Sequence, residues 1–340
     1  VKIRNLVEQR RSDWVELENL CTKLSGRKSQ LGPNEAIRFA ELYRNACADL
    51  SLAEAWQLPP STVDYLHTLV ARSHNRLYRS HGFDLRHWLE LAFIDTPRKI
   101  FAEPAIHIVT LMFWGLSLLS GYLAWDQQMW PDFAEQVVGT DTLEMMEKMY
   151  VEFDNQSGTG NQPANTGGGR SMGANFSMAG FYIRHNAGIG LECFASMVLI
   201  LPGFVTLAYN AVFLGAIDGY MLRPELGAAG INFRNFTTAH GPFELTAIIL
   251  SAGAGLKIGL GWFWTRGRRR LDSVMIAGRE SLPIAICATV LFIMAAMIEG
   301  FVSPLPEYIL PWWLKGLVAL VSSTMLMFYF VVLGFPWKRQ

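Results

Sequence analysis

From residue 105 onward the chain is built of apolar runs about as long as a bilayer is thick, and this constrains the fold more than any other feature. A crossing helix needs about 20 predominantly apolar residues, and every backbone polar group inside lipid must be satisfied by the helix itself. "AIHIVTLMFWGLSLLSGYLAW" (105–125) is one such run, and 282–302 and 311–335 are others. "AGIGLECFASMVLILPGFVTLAYNAVFLGAIDGYML" (187–222) is too long for one crossing. It reads as a tight pair, or as a bent helix plus a short span, with the break near "LPGF" to "AYN". The remaining run, "HGPFELTAIILSAGAGLKIGLGWFW" (240–264), carries His240, Glu244 and Lys257. Ionisable groups in hydrocarbon are costly enough to require a partner or a purpose.

Counting 187–222 as two crossings gives six spans. Arg98 and Lys99 precede the first run, Arg266, Arg268, Arg269, Arg270 and Arg279 fall in one connection, and Lys338 and Arg339 follow the last run. Six crossings put all of these basic residues on one side, which the positive-inside rule makes cytoplasmic. Both termini are then expected in the cytoplasm. The acidic segment 126–186 falls outside, with a short amphipathic helix around 141–153 and a Gly- and Asn-rich loop over 155–177. The stretch 223–239 reads as a loop, and 265–280 as a short basic loop.

Residues 1 to about 100 differ in kind. Trp14, Leu17, Leu20, Cys21 and Leu24 recur at helical spacing, and further amphipathic helices follow Pro33 and Pro60. A whole-chain composition of 51% apolar and 17% charged residues fits this division into a soluble and a lipid-embedded part. His67, His74 and His81 share one helical face, but seven residues of helix is about 10 Å of rise, too far for one zinc. They read as a solvated or partner-facing stripe. Residues 83–104 suit a helix lying in the interfacial plane, or a soluble helix continuing into the first span. Four scattered cysteines, Cys21, Cys47, Cys193 and Cys287, show no redox or metal spacing and read as small apolar residues. The polar opening "VKIRNLVEQRRSDW" has no apolar signal-peptide core.

The spans carry small residues at four-residue spacing: Ser251, Gly255 and Gly259; Gly215 and Gly219; Ser117 and Gly121; Ala296 and Gly300. Lipid offers little hydrophobic gain for helix association, so such faces mark close packing, within the chain or across a dimer. The polar set in or near the spans is Asn186, Glu192, Asn210, Asp218, His240, Glu244, Lys257 and Glu299. Two readings of it stay open. His240 and Glu244 can close off a helix start around Pro242, with a hydrogen bond towards Asn210. Alternatively the set lines a proton or ion path or a binding cavity. Lys257 is expected to pair with Asp218 or Glu299, or to snorkel. No HExxH pattern is present, and no catalytic residue, metal or cofactor is expected.

"HGPFELTAIILSAGAGLKIG" resembles the hallmark segment of the stage II sporulation protein M family, with a His-Gly, a nearby Glu and a Gly-Ala-Gly-Leu run. "YIRHNAGIGLECFASMVLILPGFVTLAYNAVFLGAIDGY" is similar to the family's core, with Asn186, Gly203, Thr206, Asn210 and Gly215. "ELYRNACADLSLA" and "YLHTLVARSHNRLY" are similar to longer members with a cytosolic helical domain. The resemblance implies a non-catalytic integral membrane protein, since the sporulation member anchors a complex of peptidoglycan-degrading enzymes.

The expected fold is all-α: a polytopic membrane protein with about six transmembrane helices. A cytosolic helical domain (1–100) precedes a membrane domain (101–340). The expected location is the bacterial cytoplasmic membrane and the expected role is a scaffold. A transporter or channel-like protein is the alternative, and a membrane-remodelling protein a weaker one. Membrane lipids, a second copy of the chain, and envelope or cytosolic proteins are the expected partners; nucleic acid is not.

Overall fold

The computed structural model describes residues 2–24, 32–77, 85–158 and 172–336. Most of the Gly- and Asn-rich loop, together with Arg79, His81, Lys338 and Arg339, lies outside the described residues. The described chain is helical throughout, without strands, and divides into two compact units, Val1–Asp84 and Leu85–Gln340.

The first unit holds α1 (Lys2–Lys23), α2 (Pro33–Ala55) and α3 (Pro60–Leu77). Pro33 and Pro60 sit at helix starts, where a missing N–H costs nothing. Their apolar stripes meet in a core of Trp14, Leu17, Cys21, Phe39, Leu42 and Leu66. One carboxylate is buried with them. Asp49 is 5% exposed, accepts a 2.9 Å hydrogen bond from Trp14 Nε1 and lies 3.4 Å from Arg10 Nε. Two of the three histidines are engaged by α2: His67 Nε2 lies 2.8 Å from Glu54, and His74 Nδ1 lies 3.0 Å from the Tyr43 hydroxyl.

The second unit opens with two short helices, α4 (Leu85–Glu90) and α5 (Thr96–Ala102), joined by a π-helical turn at Leu91–Asp95. Next come α6 (Pro104–Trp125), α7 (Phe133–Val138), α8 (Thr140–Gly158), α9 (Met172–Val198) and α10 (Leu201–Met221). The rest of the unit is α11 (Gly227–Thr237), α12 (Gly241–Gly261), α13 (Arg270–Phe301) and α14 (Trp312–Met327). Among the described residues, five helices are long and apolar enough to cross a membrane: α6, α10, α12, α13 and the segment Trp312–Val332 that begins with α14. The remaining expected crossing falls on α9, which is 27 residues long but carries Arg184, His185, Asn186 and Glu192. It packs against α10, α12 and α13 in the same bundle.

The run 187–222 resolves into two helices rather than one bent helix. The turn between them is a γ-turn, in which Leu201 N donates to Leu199 O at 2.9 Å and Ile200 has φ 63° and ψ −74°. This conformation is strained for a β-branched residue. The break falls at Leu199–Leu201, at the leading edge of the expected "LPGF" to "AYN" stretch. Two expected loops are largely helical. Most of 223–239 is α11, and α13 begins at Arg270, so Arg279 is a helix residue and the basic connection shortens to 262–269. In both, a helical spacing of apolar residues is masked in the sequence by glycines or by arginines.

The small residues pack within the chain. α6 and α10 cross where Ser117 and Gly121 meet Gly215 and Gly219. A Cβ on Gly215 would collide with the Ser117 carbonyl, and one on Gly219 with the Gly121 carbonyl. Ser120 Oγ adds a 2.6 Å bond to Val212 O across the same crossing. On α12, Gly255 lies against the Phe194 carbonyl of α9, a Cβ on Gly259 would lie 2.8 Å from Val198 O, and Ser251 Oγ faces Gly190. Gly300 packs on Ala179 of α9.

The bundle has two chemically distinct ends. α12 and α13 are consecutive and packed together, so the start of α12 and the end of α13 share one end. There α7, α8 and α11 form a cap whose core includes Phe133, Leu143, Tyr150, Phe233 and Phe236. The opposite end carries the basic connection and Lys257. A rise of ~1.5 Å per residue sets Lys257 roughly 24 Å from the head of α12.

Candidate functional site

At the capped end, three side chains from two helices converge. His240 is the residue before α12, Glu244 lies in its first turn, and Glu299 is near the end of α13. His240 Nε2 is 3.6 Å from Glu244 Oε2, and one ligand-type atom from each of His240, Glu244 and Glu299 lies within 4.8 Å of the others. His240 is 5% exposed and Glu299 7%. The sequence places them there for local reasons. Pro242 sits in the first turn of α12, and four-residue spacing brings Glu244 under the imidazole. Glu299 is the one carboxylate in an apolar stretch of α13, and its helix packs along α12.

Surrounding groups hold the three in place. The imidazole Nδ1 lies 2.9 Å from Ser303 Oγ, and the Phe236 carbonyl also bonds to the ring. The Phe236 ring meets the imidazole edge-on at 5.6 Å. Asn186 Nδ2 donates to Glu299 Oε2 at 3.2 Å across 113 residues of sequence. Lys315, 4% exposed, donates at 2.8 Å to both Ser303 O and Leu305 O, which fixes the turn that carries Ser303. Among the described residues, no lysine or arginine forms an ion pair with Glu244 or Glu299. Two carboxylates therefore share a buried site whose nearest basic group is an imidazole.

The site is not sealed. An open cleft of about 660 Å³ is lined by His240, Glu244, Glu299, Asn186, Asp218 and Tyr150, among others. Tyr150 comes from α8 in the cap, and burial pushes its phenol well above the usual range, so it stands there as a neutral hydroxyl. Tyr150 O accepts from Asn232 Nδ2 at 2.9 Å, which ties α8 to α11.

The expected polar set thus divides. The structure brings together Asn186, His240, Glu244 and Glu299, with Asp218 on the same cleft but exposed. Glu192 is exposed on α9 and does not join. Asn210 is half-buried and turns to its own helix and neighbour, donating to Thr206 O at 2.9 Å and lying 3.8 Å from Cys193 Sγ. His240 therefore bonds to Ser303, not towards Asn210, because α13 and not α10 lies against the head of α12.

Lys257 pairs with neither Asp218 nor Glu299, which lie at the other end of the bundle. Its Nζ is 2.7 Å from Glu103 Oε2 and 3.1 Å from Glu280 Oε2. Glu103 precedes α6 and caps it, accepting from Ala105 N at 3.4 Å. Lys315, at the head of an apolar run, belongs with the polar residues that the sequence marks, but Ser303 and Tyr150 were not singled out. Ser303 lies in a short turn after α13, and Tyr150 in a helix that reads as ordinary amphipathic sequence.

Residues 108–304 match the family described as stage II sporulation protein M. The chain belongs to this family. The matched region contains the whole His240–Glu244–Glu299 cluster, Asn186 and Ser303, and it stops before Lys315. Residues 4–79 match a second family, described only as a domain of unknown function (DUF8413). Neither the curated proteins nor the solved structures yielded a match. Membership of the stage II sporulation protein M family, together with the long apolar helices, makes this a multi-pass membrane protein.

Proposed function

We propose that the membrane unit takes up a cation from one side of the bilayer and serves as a transporter or channel-like protein. The carrying observation is the open cleft that joins His240, Glu244, Glu299 and Asp218, with no lysine or arginine paired to Glu244 or Glu299 among the described residues. Intramembrane carboxylates are normally paired within the bundle. Here, among the described residues, the pairing group is an imidazole and access is provided, which is the arrangement a mobile positive ligand requires. A scaffold whose core only packs gains nothing from placing carboxylates on a cleft. The basic connection at the other end supports an orientation with Lys257 cytoplasmic and the cleft opening outside. Nothing in the cluster supplies a nucleophile with its activating base, so the reading is not enzymatic.

The test is cation or proton flux into vesicles reconstituted with the full chain. Glu244→Gln and Glu299→Gln should each abolish flux while elution profile and helicity are retained. Flux that is unchanged in both variants, or no flux in the wild type under any imposed gradient, rejects the proposal.

A specific observation favours a second reading, a scaffold that recruits envelope or cytosolic proteins. The unit Val1–Asp84 is compact by itself and exposes Ile37 (63%) and Trp56 (48%). On that reading, deleting the first unit or the 126–186 segment removes partner capture, and Glu244→Gln leaves it intact.

A further inference from the structure

We propose that His240 Nε2 and the carboxylates of Glu244 and Glu299 form a binding site for a divalent first-row transition metal of the zinc or manganese type. The inference deepens the cation reading above, on which it rests, by naming the ion class.

The donor set comes first. One imidazole nitrogen with two carboxylates is a mixed N/O set, which suits Zn²⁺, Mn²⁺ or Fe²⁺ better than Ca²⁺ or Mg²⁺, whose sites are built from oxygen. Tetrahedral bonds of about 2.1 Å set ligand atoms about 3.4 Å apart. The His240–Glu244 separation of 3.6 Å is already close to this, and the three atoms lie within 4.8 Å overall. Side-chain rotation that moves a carboxylate oxygen by up to about 1.4 Å completes the site. Three protein ligands beside a cleft leave a fourth position for water or a passing ligand.

The supporting groups have the form that metal ligands take. A ligating histidine generally donates its other N–H to a nearby oxygen, which fixes tautomer and ring orientation. His240 Nδ1 lies 2.9 Å from Ser303 Oγ, and this leaves Nε2 on the Glu244 side. Ser303 is fixed in turn by the two bonds from Lys315 Nζ to its own carbonyl and to Leu305 O. Asn186 holds one Glu299 oxygen and leaves the other without a hydrogen bond among the described contacts. Glu244 makes no hydrogen bond there either, only its contact with the imidazole. A packing device would spend these acceptors on donors; here they are grouped with the imidazole within 4.8 Å of one another.

The test uses full-length, tag-free protein in detergent, stripped with a chelator, and the metal alone as probe. Titration with Zn²⁺ should show one saturable site per chain, with Mn²⁺ competing and Mg²⁺ not competing at tenfold excess. Glu299→Gln and Glu244→Gln should each weaken Zn²⁺ by at least about 100-fold, and Ser303→Ala by about 10-fold, the range found when supporting residues are removed. Ser303→Ala removes no ligand, only the partner of the His240 Nδ1, so it keeps the test valid if a carboxylate variant fails to fold. Co²⁺ should give visible absorption of a four-coordinate N/O site in the wild type and lose it in Glu299→Gln. Absence of a saturable Zn²⁺ site in the wild type overturns the inference, as does wild-type affinity in both folded carboxylate variants. One Zn²⁺ bound without any flux upholds the site and rejects the transport reading. Proton flux without Zn²⁺ binding does the reverse.

Discussion

Replacing Lys257 with methionine isolates what holds the basic end of the bundle together. Lys257 Nζ sits between Glu103 at 2.7 Å and Glu280 at 3.1 Å. The two contacts are unequal in environment. The Lys257 and Glu103 side chains are 15% and 16% exposed, while the Glu280 side chain is 53% exposed. Removing one partner of a buried pair costs about 3–5 kcal/mol, because the other charge is left uncompensated. An exposed pair is worth about 0–1 kcal/mol. Partial solvent access at Glu103 lowers the first figure, so Lys257→Met should destabilise by about 3 kcal/mol, nearly all of it through Glu103. Methionine keeps most of the aliphatic packing, so lost volume contributes little. The assay is reversible unfolding in mixed detergent micelles, followed by tryptophan fluorescence. A double-mutant cycle decides the attribution: Lys257 with Glu103→Gln should couple by at least about 2 kcal/mol, and Lys257 with Glu280→Gln by under about 1 kcal/mol. Stability within about 0.5 kcal/mol of wild type in Lys257→Met would refute the reasoning, as would larger coupling to Glu280.

Three further outcomes follow from the packing. Gly219→Val places a branched side chain against the Gly121 carbonyl and should cost about 3 kcal/mol, whereas valine at Gly278, which has open space around it, should cost under about 1 kcal/mol; the same unfolding assay compares them. Asp49→Ala strands the Trp14 indole N–H in the first unit's core and should cost about 1–3 kcal/mol, read as lost protection of α1 and α2 amides in hydrogen exchange. In metal-free protein, Glu299→Gln should stabilise by about 1 kcal/mol or more, because it removes a buried charge while Gln can still accept from Asn186; a loss of stability would mean the carboxylate has a counter-charge already.

Much of the fold was legible because membrane helices leave a long-range signal. Each of 105–125, 240–264, 282–302 and 311–335 became part of one helix, since lipid enforces both length and apolarity. The crossing faces were legible for a similar reason. Close approach permits only small residues, so Gly215 and Gly219 announce a contact, though not its partner. α11 was missed because the four glycines and alanines that open it, Gly227 to Gly230, look like a loop. They are tolerated there because Phe233 and Phe236 anchor the helix in the cap. For the site, four-residue spacing made the His240–Glu244 contact legible. The approach of Glu299 and Asn186 was not, because it depends on how α9, α12 and α13 pack, and a carboxylate carries no mark of which neighbour it will meet. The same ambiguity misassigned Lys257. A charge in a span must find a partner, but only the antiparallel order of the helices tells which end of the bundle supplies it.

The distribution of charge and glycine over the bundle bears on what can move. Lys257 with its two carboxylates holds one end, and the glycine contacts of α12 on α9 fill the distance between that end and the head of α12. Backbones in direct contact over Gly255 and Gly259 have no side chains to repack, so α9 and α12 act as one body. Asn186 rides on α9 and His240 and Glu244 on α12, so their spacing is set by that rigid pair. Glu299 and Ser303 arrive from α13 and the turn after it. That turn is held to the head of α14 by Lys315, and not by close backbone contact. The end of α13 is seated on α9 where Gly300 meets Ala179, so a change in occupancy of the cluster is transmitted through the Ser303 turn, which Lys315 holds by side-chain bonds. The expected signature is ligand-dependent hydrogen exchange confined to residues 302–316, with the amides of 251–259 unchanged. Exchange that instead responds along α12 would show that the glycine contacts slide, and the rigid-pair argument would fall.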